Sequence, residues 1–297
     1  PTETLPGELV DRVQSALKQG DVTAVRHLLD EWERTRAISG KPAEPDQQEL
    51  FLSATKIETY LTCPLKYRLQ FIDQFPEKKS QARMGFGTII HRVLEQFHSP
   101  GSELTEERIL TLLDQAWDSR YFEYRIREEE FRRQAETYLK SYVQWVAANP
   151  PSRPRPEVKV TFALPDINVK ITGKIDRIDQ DEEGLRIVDY KTGNPSREPL
   201  KKNFQLALYT AAIRRGAIPD LPADQPIRVQ LIFVKDLAAS EDEYRFSPTE
   251  LAEQLDRVTQ TAAGIRQGNF QPKPSRHHCS YCDYKDFLCP EFESDGS

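Results

Sequence analysis

Four cysteines constrain this chain more than any other feature. Cys63 stands alone, and Cys279, Cys282 and Cys289 crowd the C-terminal stretch H-H-C-S-Y-C-D-Y-K-D-F-L-C-P. Three neighbouring thiols with a fourth far upstream have the pattern of a tetrathiolate centre that ties two ends of a domain together. Such a set suits structural zinc and equally an iron–sulfur cluster, and spacing alone does not separate them. His277 and His278 are spare ligands, but four thiols suffice. Closing so long a loop removes much unfolded-state freedom, so the centre is expected to be a structural fastener.

The 297 residues are 38% hydrophobic and 30% charged, enough for one large or two small globular domains with a real core. No apolar run approaches the roughly eighteen residues that span a bilayer, and no membrane association is expected. The opening P-T-E-T-L-P-G-E-L-V has neither a basic nor an apolar leader segment. A cytoplasmic location is therefore expected, where thiols stay reduced and crowded cysteines point to a metal site. A net charge of −6 argues against a surface coated in nucleic acid but leaves room for a local basic groove, with patches at Lys78-Lys79, Lys201-Lys202 and Lys273 to His278. The chain lacks a G-x-x-x-x-G-K-[ST] loop, so it is not itself an ATP-driven motor.

Apolar spacing predicts helices over 7–19 and about 22–37, with Asp21 capping the second. A polar linker, Gly40 to Gln48, follows, so 1–48 reads as a helical appendage and 49–297 as the main domain. Within that domain 49–150 is mostly helical: a helix capped by Ser53, another around Tyr67 to Ile72, one from about Thr88, and longer ones over 105–119 and 126–147. After P-P-S-R-P-R-P the period changes to strands at 157–164, 167–179 and 185–191. A helix at 199–215, a strand at 227–235 and a helix at 248–267 complete an α/β core over 157–267, leaving 268–297 as the cysteine tail.

The second and third strands end in acidic residues, Asp176 and Asp189. Residues i and i+2 of a strand share a face, so Lys191 projects with Asp189, while Tyr190 points away and leaves its carbonyl near the site. If the strands form a hairpin, the two carboxylates approach each other. Paired carboxylates are hard ligands for Mg²⁺ or Mn²⁺. Such an ion activates water and neutralises a phosphate, and a lysine beside it stabilises developing negative charge. An Asp-x-Lys pair is commonly just surface charge, but Ile187-Val188 before Asp189 point to a buried strand emptying into a cleft.

The segments G-K-I-D-R-I-D (173–179), V-D-Y-K-T-G (188–193) and Q-L-A-L-Y (205–209) resemble three motifs of the PD-(D/E)XK nucleases of the RecB type. G-T-I-I-H-R-V-L-E (87–95) is similar to their histidine motif, and L-S-A-T-K-I-E-T-Y-L-T-C-P-L-K-Y (52–67) to the first-cysteine segment of the iron–sulfur subgroup. That subgroup holds AddB-type helicase–nucleases, Cas4-type nucleases and nuclease domains fused to UvrD-like helicases. The resemblance spans about 50–291 and does not cover 1–48.

It implies a PD-(D/E)XK restriction-endonuclease-like α/β fold, a mixed sheet flanked by helices, with a helical N-terminal part and a cluster-bound C-terminal tail. It implies that His91, Asp176, Asp189 and the Tyr190 carbonyl hold Mg²⁺ or Mn²⁺, and that Lys191 serves the attacking water. Gln205 and Tyr209, one helical turn apart, would hold DNA or Lys191. Asp179 would stand behind the site, and Glu95 could orient His91. Cys63, Cys279, Cys282 and Cys289 would hold a [4Fe–4S] cluster, with zinc the alternative. The implied activity is hydrolysis of DNA, single-stranded for preference, beside a helicase motor in cis or in trans. Phe86, Phe204 and Tyr209 are candidates for stacking on bases, although core packing is the commoner use of such residues. The alternatives are a free-standing Cas4-like end-trimming nuclease and a catalytically silent DNA-binding scaffold.

Overall fold

The computed structural model describes residues 7–39, 48–75, 77, 81–195, 198–240, 242–285 and 288–290. The expected linker, apart from Gln48, and the Lys78-Lys79 patch lie outside them. In chain order the elements are α1 (Gly7–Lys18), α2 (Val22–Ser39), β1 (Leu50–Leu52), α3 (Ala54–Thr62), α4 (Pro64–Tyr67), α5 (Gln81–Phe97), α6 (Glu106–Ala116), α7 (Arg125–Ala148), β2 (Arg155–Leu164), β3 (Val169–Asp181), β4 (Gly184–Lys191), α8 (Phe204–Arg214), β5 (Ile227–Phe233), β6 (Glu243–Tyr244), α9 (Pro248–Arg266) and α10 (Arg276–Ser280).

Two compact units divide the chain: residues 1–78, 164–170 and 256–297 form one, and 79–163 with 171–255 the other. This division does not coincide with the boundary expected near residue 48. In the first unit, α1 and α2 share a core with the cysteine tail: Val13, Val25 and Leu28 pack with Leu69, Phe75 and Tyr284, and Cys282 lies against them. The Arg68 guanidinium stacks 4.9 Å from the Trp32 ring centre. The expected caps form, with Lys56 N–H donating to Ser53 Oγ at 3.3 Å and Ala24 N–H to Asp21 Oδ1 at 2.9 Å.

The second unit holds a mixed sheet. β3 and β4 pair antiparallel, β4 and β5 parallel, and β5 and β6 antiparallel, with β2 along the other side of β3. On one face Val188, Tyr190, Ile232 and Val234 pack with α5, α6 and α7 around Phe97, Leu113 and Tyr142. The link between parallel β4 and β5 carries α8, in which every residue from Leu206 to Ile213 is buried.

Several elements depart from the periodicity. α5 begins at Gln81 rather than near Thr88 and takes in Gly85, where a Cβ would run into the Tyr121 ring. Close approach of that ring outweighs the helix cost of glycine. α8 starts at Phe204, capped by Asn203, after a separate 3₁₀ turn at Leu200–Lys202. The strands β1 and β6 and the short α10 carry too few residues to show a period.

Candidate active site

The β3–β4 ladder runs from Asp181↔Gly184 to Arg177↔Val188 and stops there. One step beyond, where the strands part, stand Asp176 and Asp189. The Asp176 carboxylate takes up a backbone donor freed at the fork: Oδ2 accepts from the Tyr190 N–H at 2.8 Å. Asp176 is thereby anchored to the residue between Asp189 and Lys191. From α5, His91 Nδ1 reaches Asp176 Oδ1 at 3.2 Å. Lys191 Nζ lies 2.6 Å from Asp189 Oδ2, off the line of a good hydrogen bond, so this pair is a charge contact.

Asp189 is only 4% exposed. Burial pushes its carboxyl up, Lys191 opposes that, and Asp176 adds to it. Burial works against the His91 imidazolium, but the hydrogen bond to Asp176 and the charges of Asp176 and Asp189 outweigh it and raise the imidazole overall. Two carboxylates close together, the buried one balanced by the Lys191 ammonium and set against Asp176, make a place that favours a cation. The structure thus brings His91, Asp176, Asp189, Lys191 and the Tyr190 backbone together. The Tyr190 ring turns into the helical layer, 3% exposed, and burial holds its hydroxyl far above the ordinary tyrosine range.

Gln205 Nε2 donates to Tyr209 Oη at 3.1 Å, and Tyr209 Oη donates to the Lys174 carbonyl at 2.9 Å. The pair therefore grips the β3 backbone two residues before Asp176. Gly173 makes this possible, since a Cβ there would lie 2.6 Å from Tyr209 Cε1. Asp179 is fully buried and paired with Arg177 and Arg186. Glu95 lines the groove beside His91 but makes no bond to it; the imidazole turns to Asp176 instead. Phe86 and Phe204 are 4% and 1% exposed and belong to the core, which removes them as base-stacking platforms.

Sequence reasoning missed Glu157 and Lys174, which form an ion pair lining the same groove. Lys174 was accessible, being two residues before Asp176 on one strand face. Glu157 was not: it reaches the groove through a left-handed backbone, φ +53, that no motif marks. Burial raises its carboxyl, and Lys174 opposes that.

In the first unit Cys63, Cys279, Cys282 and Cys289 line one cavity with Lys66 and Lys273. Burial raises the Cys282 thiol, a Tyr284 N–H and Lys66 oppose this, and the nearby Cys63 and Cys279 sulfurs add to it. Four sulfur donors converging there fit a thiophilic centre, and the oxygen-rich set at the strand fork fits a hard divalent ion. Among the described residues, no three His, Cys, Asp or Glu side chains are drawn into closed ligand geometry at either place. No helix among the described residues is long and apolar enough to cross a membrane.

The chain is 24% identical over 287 residues to the gene 69 protein of Mycobacterium phage L5, covering 81% of this chain and 96% of that protein. It is 27% identical over 183 residues to a component of the ATP-dependent helicase/deoxyribonuclease of Clostridium acetobutylicum, covering 49% of this chain but only 16% of that component. A solved candidate exonuclease from Eubacterium rectale shares the fold at a TM-score of 0.50 and 14% identity, over 78% of this chain and 86% of that one. The profile of the PD-(D/E)XK nuclease superfamily matches residues 51–290, a span that takes in the strand fork and all four cysteines, and the chain belongs to that superfamily.

Proposed function

We propose that this chain is a divalent-metal-dependent deoxyribonuclease of the RecB type. It would act on single-stranded DNA or DNA ends, as the nuclease module of a helicase–nuclease in DNA repair or recombination. The carrying observation is the convergence of His91, Asp176, Asp189 and Lys191 from one helix and two strands around a buried carboxylate. Asp176, Asp189, His91 and the Tyr190 carbonyl are the groups to hold Mg²⁺ or Mn²⁺. When bound, that ion would supply an activated water and neutralise charge on the phosphate. Lys191, which stands against Asp189, would orient the water and stabilise the phosphate oxygens. Gln205 and Tyr209 hold β3 in place through the Lys174 carbonyl, so Asp176 keeps its reach.

Cys63, Cys279, Cys282 and Cys289 would hold a [4Fe–4S] cluster, with structural zinc the alternative. The motor partnership is supported by the similarity to the Clostridium helicase/deoxyribonuclease component, although the match spans a small part of that protein. The second reading is a free-standing Cas4-like end-trimming nuclease, supported by an alignment that takes in 96% of the gene 69 protein and leaves little of that protein for a fused motor.

The test is cleavage of end-labelled single- and double-stranded DNA with Mg²⁺, Mn²⁺ or EDTA, wild type beside Asp189→Ala, with iron and zinc measured on the same samples. Metal-dependent cleavage lost in the variant supports the reading. A folded, DNA-binding protein that cuts nothing with either metal points to the silent scaffold.

A further inference from the structure

Behind the strand fork lies a buried polar cluster that the proposed chemistry does not use. Arg177, Asp179, His98, Tyr142 and Tyr190 are all 3% exposed or less. Arg177 Nη1 donates to Tyr190 Oη at 2.5 Å and to Tyr142 Oη at 2.9 Å, and lies 3.1 Å from His98 Nε2. Arg177 Nη2 donates to Asp179 Oδ2 at 3.0 Å, while Nε sits 2.8 Å from Oδ1 at an angle too bent for a hydrogen bond. Tyr142 Oη closes the cluster, 2.7 Å from His98 Nε2 and 2.9 Å from Tyr190 Oη.

Burying a charge this deeply is costly, and apolar residues of similar volume often stabilise a fold as well or better. A hairpin that needed only to pack would not need an arginine here. What the cluster does offer is fixed geometry, because each bond has a preferred length and direction.

Its members are neighbours of the site residues in the chain. Arg177 follows Asp176. Tyr190 lies between Asp189 and Lys191, and its own N–H holds Asp176. His98 is seven residues beyond His91, about two helical turns and so on the same side. The Arg177 guanidinium therefore joins β3, β4 and the end of α5, the three elements that carry His91, Asp176, Asp189 and Lys191.

We infer that Arg177 and Tyr190 are positioning residues: their side-chain bond sets the spacing between the β3 and β4 carboxylates and thereby the affinity of the fork for a divalent cation. This rests on the metal-binding reading of the fork. Removing the Tyr190 hydroxyl leaves its backbone N–H and carbonyl and the β3–β4 ladder in place but takes away the side-chain bond to Arg177 just behind the fork.

The test is Mn²⁺ titration without DNA, read by the electron paramagnetic resonance signal of the free ion, with thermal melting of each protein. Tyr190→Phe should weaken Mn²⁺ binding about tenfold and Arg177→Met at least as much, with melting little changed in Tyr190→Phe. Tyr142→Phe removes an equally buried hydroxyl from α7, which carries no site residue, and should leave Mn²⁺ binding within about twofold of wild type. Wild-type binding by Tyr190→Phe overturns the inference, and so does equal weakening in Tyr190→Phe and Tyr142→Phe, which would mark a general packing role. If Arg177→Met does not fold, Tyr190→Phe alone decides. Wild type and Asp189→Ala binding Mn²⁺ equally would instead overturn the metal-site reading, and this inference with it.

Discussion

The strand fork and the cysteine cavity collect donors in different ways. At the fork, protein bonds already hold the donors. Asp176 is tied to the Tyr190 backbone, His91 to Asp176, and Lys191 stands against Asp189. In the cavity the four cysteines come from two distant stretches of sequence, and among the described residues Cys279 Sγ accepts one hydrogen bond, from the Ser275 N–H at 3.3 Å. The fold builds the first site, whereas the second is expected to help build the fold. If each place holds the metal proposed for it, losing that metal should cost activity at the fork and stability at the cavity.

The largest effect should come from Asp189→Ala. Cleavage should fall by about a thousandfold or more, because groups acting as one unit fail together. Melting should stay within about 3 °C of wild type, since relief from the burial of the carboxylate and from its repulsion with Asp176 offsets the lost Lys191 contact. A melting point lower by about 10 °C would break the comparison and make the fork a structural centre. The reverse result belongs to Cys282→Ala. Loss of a constraint across so long a loop removes about 4 kcal/mol, or about 10 °C for a protein of this size. Iron or zinc should be lost with it, as analysis of the purified protein would show. An unchanged melting point with the metal gone would mean that the cavity only carries its metal.

The motifs make much of the fork legible, because strand alternation alone puts Asp189 and Lys191 on one face and sends Tyr190 inward. What the chain does not announce is which distant side chains meet behind it. Arg177 reads as a polar residue in an alternating strand, and His98 and Tyr142 as ordinary members of two amphipathic helices. A period reports the buried face of an element but not its partner. Glu157 escapes for a related reason, since a single left-handed residue inside β2 re-aims one carboxylate without changing the pattern. Likewise α1 and α2 read as an appendage because their apolar stripes do not name Leu69, Phe75 and Tyr284 as the surface they cover.

Gly173→Ala sharpens the account of the fork at a smaller scale. The new methyl would meet the Tyr209 ring, at a cost of about 1–3 kcal/mol in strain or displacement. Either way the hold on the Lys174 carbonyl loosens, and cleavage at saturating Mg²⁺ should drop about tenfold while the iron or zinc content of the cavity stays as in wild type. Full activity would show that Tyr209 does not fix the position of β3.

The smallest effect concerns protons and should leave both metals aside. Burial first, and Arg177 second, hold His98 neutral down to about 2. As pH falls below 6.5 the unfolded chain takes up a proton that the folded protein refuses, so stability drops by about 1.4 kcal/mol per pH unit, or about 2 kcal/mol by pH 5. The stability contribution of the neutral ring is thus complete above pH 6.5 and is lost on acidification. His98→Gln keeps a side chain able to accept from Arg177 but has no proton to take up. Its unfolding free energy relative to wild type should therefore improve by about 2 kcal/mol between pH 7 and pH 5, measured by urea titration of both proteins in EDTA. Acid also protonates thiols and weakens metal binding at the cavity, but that loss is common to both proteins and cancels in the difference. Parallel pH profiles would mean that His98 is protonated in the folded state, which an arginine donating to the same nitrogen would not tolerate. The fork's support would then rest on a different arrangement from the one that separates it from the cysteine cavity, bonds made wholly by the protein.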